Sequence, residues 1–196
     1  MPNKKKTLKQ KYIDSWKYIK ESKRFIYFVS LIFLIFLILG FILPTPEPIA
    51  QKILEFLEEM LEKTQGMNFL ELFWFIFWNN LKVSFIGIVS GIVFGILPFL
   101  TSVANGYLLG FVSSLVVGQE NFLSLWRILP HGIFELPAVF ISLGLGFKLG
   151  FFIFQKKKMK YLKNNLYKSL IVFFLIVLPL LVLAAFIESF FIFLIS

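Results

Sequence analysis

The sequence predicts an all-α fold: a polytopic membrane helical bundle of about five transmembrane helices, with an amphipathic helix outside it. Three observations carry this. First, 58% of the 196 residues are hydrophobic, only 16% are charged, Phe occurs 27 times and the mean hydropathy is +0.83; a soluble domain is roughly 45–50% apolar and about 25% charged. Second, the apolar residues fall in runs able to cross a hydrocarbon core of roughly 30 Å. Third, the basic residues sit beside those runs: nine of the 20 Lys+Arg lie within Lys4–Arg24 and six within Lys156–Lys168. Together these exclude a soluble enzyme, a disordered chain and a free nucleic-acid binder. The formal charge of +9 therefore reads as a topology signal and as contact with anionic headgroups, at about 1 kcal/mol per charge near the surface. The lipid bilayer is the first partner expected, and no nucleic acid is. Without Cys there is no disulfide, thiol nucleophile or thiolate metal ligand.

The elements follow in chain order. Residues 1–24 are polar and basic, with Tyr12, Trp16, Ile19 and Lys23 at helical spacing, which predicts a short amphipathic helix on the membrane surface. Phe25–Leu43 is 19 residues without a charge, enough for a first transmembrane helix at about 1.5 Å per residue. The long basic region before it and the lack of a small-x-small cleavage site after it favour a retained helix over a signal peptide. Pro44, Pro46 and Pro48 end it. In Ile49–Thr64 the residues Ile49, Ile53, Leu57, Met60 and Leu61 share a face while Glu55, Glu58, Glu59 and Glu62 lie elsewhere: an amphipathic helix too charged to cross. The interval 44–71 holds six acids and two Lys.

Residues 72–196 form the main membrane unit, expected to contribute four spans. An apolar stretch over about 72–100 contains Gly87, Gly91 and Gly95 at intervals of four, a small-xxx-small pattern suited to close helix packing. Thr101–Gly106 reads as a polar break, with Asn105-Gly106 as its turn. Tyr107–Gly118 is a 12-residue apolar core, so the third span either starts near Ser102 or is re-entrant. Gln119–Arg127 is a polar connection, Ile128–Phe154 the fourth span and Leu166–Ile195 the fifth. Basic flanks stay cytoplasmic, which predicts a cytoplasmic-membrane protein with its N-terminus inside, residues 44–71 and the C-terminus outside, and 155–166 inside.

Polar residues at membrane depth are costly and are functional candidates for that reason. His131 and Glu135 are four apart and share a helix face. They form either a buried site at a helix start, or a capping Glu with a His at headgroup level. Glu188 is the one charge in the 27 residues Ser169–Ile195, either interfacial or a partner for groups in the bundle. Asn79 and Asn80 read as a turn or cap at the start of the second span, and Lys82 as a snorkelling side chain. Under the five-span topology His131, Glu135, Glu188, Asn79 and Asn80 fall at one depth, near the outer leaflet, and form a candidate polar cluster; Asn105 falls on the opposite side.

The ordered set Asn79-Asn80, Gly91, Gly95, Asn105-Gly106, Gly110, Leu129-Pro130-His131-Gly132, Glu135-Leu136-Pro137-Ala138, Gly144, Gly146 and Glu188 resembles the stage II sporulation protein M family of integral membrane proteins. The Leu-Pro-His-Gly-x-x-Glu-Leu-Pro string is its specific part, and the likeness covers roughly residues 70–190. The resemblance implies a polytopic membrane protein acting as a scaffold. In spore-forming bacteria the namesake anchors cell-wall hydrolases during engulfment, and relatives elsewhere have no spores to form.

Three functions compete. A scaffold or assembly factor would dock protein partners on the outer face through residues 49–64. A transporter or channel component would use Glu135 and Glu188 as ion or proton sites, since helices interrupted by Gly and Pro with buried carboxylates suit such paths. An intramembrane metal-dependent hydrolase would take a divalent metal on His131, Glu135 and Glu188, a chemically acceptable donor set. That enzyme would have one His and no H-E-x-x-H motif, and no serine nucleophile elbow. No cofactor is expected on balance, and the scaffold is favoured. The same polar residues also fit a purely structural role as interhelical hydrogen bonds, worth about 0.6 kcal/mol each on average. Gly87, Gly91 and Gly95 serve packing within one chain or between copies in a homo-oligomer.

Overall fold

A computed structural model of the chain describes residues 6–119, 123 and 129–195, with backbone alone at 129–131, 133, 134 and 195. Among these residues every element is helical, and five helices are long and apolar enough to cross a membrane.

Helix α1 runs from Leu8 to Ile42, 35 residues, about 52 Å at 1.5 Å per residue. The short surface helix and the first span expected separately are one rod. No Gly or Pro interrupts it before Gly40, and Ser15, Tyr18 and Ser22 of its basic half are buried. That half is therefore packed in the molecule, where a surface helix had been expected. The Thr7 hydroxyl caps its start by accepting from the Gln10 N–H. It ends at Leu43, held extended ahead of Pro44, as the residue before a proline prefers.

Helix α2, Glu47–Thr64, has Pro48 in its first turn and no buried residue. Helix α3, Phe69–Val89, starts on a capping box. Asn68 Oδ1 accepts from the Leu70 and Glu71 N–H groups at 3.0 and 3.1 Å, and Glu71 returns a bond to the Asn68 N–H at 2.9 Å. A 3-10 turn at Ser90–Ile92 extends α3. Then Phe94 and Gly95, at φ 54° and 73°, reverse the chain into α4, Ile96–Gln119.

This reversal corrects the expected boundary. The break between the second and third spans lies at 93–95, where two consecutive left-handed residues turn the backbone, and not at 101–106. Asn105-Gly106 is therefore mid-helix. The Asn105 amide donates to the Thr101 carbonyl at 2.8 Å, which satisfies a polar side chain that would mark a turn in water. With 24 residues α4 is a complete span, so the re-entrant alternative falls.

The connection expected at Gln119–Arg127 lies, but for Gln119 and Leu123, outside the described residues. Helix α5 is Leu129–Gly150 with a 3-10 extension at Phe151–Phe154. Helix α6, Lys158–Val172, passes through a π segment at Phe173–Val177 into α7, Leu178–Ile195. Most of the basic segment expected as a connection at 155–166 is thus the first part of the last membrane helix.

Pairing follows small residues. Ser102 donates to the Val29 carbonyl at 2.8 Å. A Cβ on Gly106 or Gly110 would stand 2.4 Å from the Phe33 carbonyl oxygen or 2.1 Å from that of Leu37. Partner numbers rise together, so α1 and α4 run parallel with backbones in direct contact. Helix α5 faces two ways: Gly144 abuts Ile26 of α1, and Gly146 abuts Gly87 of α3. Ser22 with Lys148 and Phe33 with Phe140 make α1 and α5 antiparallel; Gly87 against Leu143 and Gly91 against Gly146 make α3 and α5 parallel. Phe69 with Phe186 and Phe85 with Phe173 make α3 and α7 antiparallel. Directions alternate along the chain, as five successive crossings require.

Candidate functional site

The three helices α3, α5 and α7 carry the predicted polar residues. With the turn at 93–95, Asn80 lies 11 residues from the start of α3 and 12 from Ile92, about 16–18 Å from either end. Asn79 and Asn80 neither cap nor turn the helix, and both lie deeper than expected. They also point apart. Asn80 is 7% exposed. Asn79 is exposed and lines a crevice of about 660 Å³ with Lys63, Glu71, Trp74, Trp78 and Lys82. The sequence grouped the two amides because they are adjacent; on a helix, neighbours face directions about 100° apart.

The parallel α3–α5 register sets Asn80 level with Glu135, the two separated in number as Gly91 and Gly146 are, and makes Asn80 a neighbour of the Glu135 carboxyl. Glu188 of α7 lies toward the Phe69 end of α3, since Phe69 packs on Phe186 and Phe193. Its Oε2 is buried without a hydrogen-bond partner among the described residues, as are the hydroxyls of Ser84 and Ser142. Ser84 follows Asn80 by one turn on α3, and Ser142 follows Glu135 by two turns on α5. The His131 side chain lies outside the described residues, and no group of three or more His, Cys, Asp or Glu that could hold a metal occurs among those described. Of the expected packing residues, Gly87, Gly91 and Gly106 sit at helix contacts and Gly95 in the turn, where a Cβ would meet the Phe147 carbonyl oxygen at 3.0 Å.

A second polar constellation, at the basic end, had no counterpart in the sequence reading. Lys148 is only 8% exposed. Its Nζ donates to Ser22 Oγ at 2.8 Å and stands 4.0 Å from the centroid of the Tyr18 ring. The Tyr18 hydroxyl in turn donates to Asn165 Oδ1 at 3.0 Å. A cation held over an aromatic face gains about 2 kcal/mol when desolvated. The available signal was a lone Lys near the end of the apolar run 128–154. Its ring partner 130 residues earlier carries no local mark.

The family model for stage II sporulation protein M matches residues 29–191. The uncharacterized protein MJ0793 of Methanocaldococcus jannaschii is 38% identical over 115 residues, covering 56% of this chain and 65% of that protein. The uncharacterized protein MJ0706 of the same organism is 32% identical over 139 residues, covering 66% of this chain and 61% of that protein. The chain thus spans less than two thirds of the length of either relative. No solved structure matches it.

Proposed function

The chain belongs to the stage II sporulation protein M family, and we propose that it works as a membrane-embedded scaffold that presents α2 to protein partners. The observation that carries this reading is that α2 contributes no buried residue to the fold yet keeps an ordered amphipathic sequence. Ala50, Ile53, Leu57, Met60 and Thr64 form its half-buried face, while Ile49, Leu54, Phe56 and Leu61 are exposed. Four exposed apolar side chains on the two flanks of an acidic helix suit docking. The acids that flank it repel anionic headgroups and favour a basic protein surface. The crevice beside it, with Trp74 and Trp78 each 51% exposed, adds aromatic anchors of the kind that dominate binding energy.

The basic halves of α1 and α6 meet at the other end of the bundle, through Tyr18 and Asn165. Because Lys-rich flanks stay on the cytoplasmic side, the reading sets that end in the cytoplasm of a cytoplasmic-membrane protein and α2 and the C-terminus outside. Its test is co-purification from membranes with residues 49–64 deleted. The deletion is expected to lose outer-face partners while the chain still inserts and extracts as a folded protein; unchanged recovery of partners contradicts the scaffold.

A further inference from the structure

The basic halves of α1 and α6 lie side by side and enclose a cleft of about 930 Å³, which docking on α2 does not use. Its walls are two stripes at helical spacing, Lys11, Asp14, Tyr18 and Glu21 on α1, and Asn164, Lys168 and Ile171 on α6. Spacings of three and four put the members of each stripe on one face. Buried hydrogen bonds fix the two walls against each other. The Tyr18 hydroxyl donates to Asn165 Oδ1 at 3.0 Å and stands 3.4 Å from Ser169 Oγ.

The cleft carries a surplus of positive charge. Lys6, Lys11, Lys17 and Lys168 line it, with Asp14 and Glu21 as its acids. Lys6 pairs with Asp14. Three ammonium groups then face one carboxylate, Glu21, and none of the three has an ion pair among the described residues. Lys168 Nζ stands 5.4 Å from the centroid of the Tyr18 ring, and Nζ of the buried Lys148 stands 4.0 Å from the same centroid. Two cations at one ring, neither bonded to an acid, favour an anion in the cleft, where walls of low dielectric focus the field.

The depth of the cleft identifies the anion. Tyr18 precedes Phe25, where the apolar run of α1 begins, by about 10 Å along the helix. Lys168 is the last basic residue before the apolar part of the final membrane helix, and Ile171 follows it by one turn. The lining thus passes from lysines to an apolar wall, as a lipid passes from headgroup to acyl chain. The surplus of two positive charges suits a phosphate group.

We propose that the cleft between α1 and α6 binds the phosphate of one anionic lipid headgroup per chain, held by Lys11, Lys17 and Lys168, with Ile171 beside the first acyl carbons. The attraction of basic flanks to anionic membranes is spread over a surface; this is a single site with defined side chains. It does not rest on the scaffold reading, and loss of docking through α2 leaves it untouched.

The test uses the purified full-length protein, reconstituted in phosphatidylcholine with a minor fraction of phosphatidylglycerol, and native mass spectrometry counts the lipids it retains. One phosphatidylglycerol is expected to be retained in preference to phosphatidylcholine. Titration with short-chain phosphatidylglycerol in neutral detergent then gives an apparent Kd. Lys11→Gln with Lys168→Gln is expected to raise it roughly tenfold or more. Lys156→Gln with Lys157→Gln removes the same charge from the neighbouring crevice and is expected to change it by less than about twofold. All four side chains are exposed or half-buried, so both double variants are expected to match the parent Tm without lipid. No retained phosphatidylglycerol, or equal weakening by the two pairs, overturns the site. Displacement of the lipid by inorganic phosphate at equal concentration overturns the lipid assignment and makes soluble phosphate the ligand.

Discussion

Gly91 and Gly146 illustrate how single residues set this fold. A Cβ on Gly91 would lie 1.9 Å from the Gly146 carbonyl oxygen, and one on Gly146 equally close to the Gly87 carbonyl oxygen. Both obstacles are backbone, which cannot rotate away. Gly146→Ala is therefore expected to destabilise by about 1–3 kcal/mol or more, through overpacking at the α3–α5 contact. Gly118 has nothing within 4 Å of its would-be Cβ, and Gly118→Ala is expected to be neutral or to stabilise by up to about 1 kcal/mol through helix propensity. Thermal unfolding of both variants in detergent checks the contrast, and equal effects would remove the packing argument. The interval of four at Gly87 and Gly91 was legible in the sequence. Its continuation to Gly95 was misleading, because Gly95 belongs to a turn. Gly106 was misread in the opposite sense. Asn-Gly marks turns where water competes for the backbone, whereas in a bilayer the Asn105 amide bonds within its own helix.

Helices α1 and α6 show what propensity alone does not decide. The basic half of α1 is amphipathic enough to lie on a membrane, yet Tyr18, Ser22 and Lys148 draw it upright against α5 and α6. Tyr18→Phe removes the hydroxyl's bonds to Asn165 and Ser169 and is expected to cost about 1–2 kcal/mol. Tyr18→Ala also removes the ring beneath Lys148 and is expected to cost roughly 3–5 kcal/mol, as for other buried aromatics. Denaturation in detergent measures both; a negligible cost for Tyr18→Ala would mean that the two basic helices do not pack. The contact was not legible beforehand because its members are separated by more than a hundred residues, and a basic helix beside a span satisfies the simpler surface reading equally well. The candidate site divides the same way. Glu135 and Glu188 were marked by their charge in apolar sequence. Ser84 carried no mark in the sequence, since most serines in these helices bond their own backbone. Lys148 drew no attention because a basic residue near the end of a span needs no partner.

At the scale of the molecule, composition and charge placement gave the class and the number of crossings, because both depend on sums over many residues. Boundaries were off by up to eight residues between the second and third spans. That shift moves Asn80 to the middle of α3, where a turn or cap at the start of the span, near the outer leaflet, had been expected. The directions read from paired contacts agree with the alternation that five crossings impose, and they put α2 and the basic ends of α1 and α6 at opposite ends of the bundle. The scaffold reading depends on those ends facing different compartments. Since the chain has no Cys, single cysteines report this directly. Glu58→Cys on α2 and Lys160→Cys on α6 are each treated in intact cells with a membrane-impermeant maleimide, before and after permeabilisation. The account predicts that Glu58→Cys reacts at once and Lys160→Cys only after permeabilisation; both sites reacting alike, or in the reverse order, would contradict it.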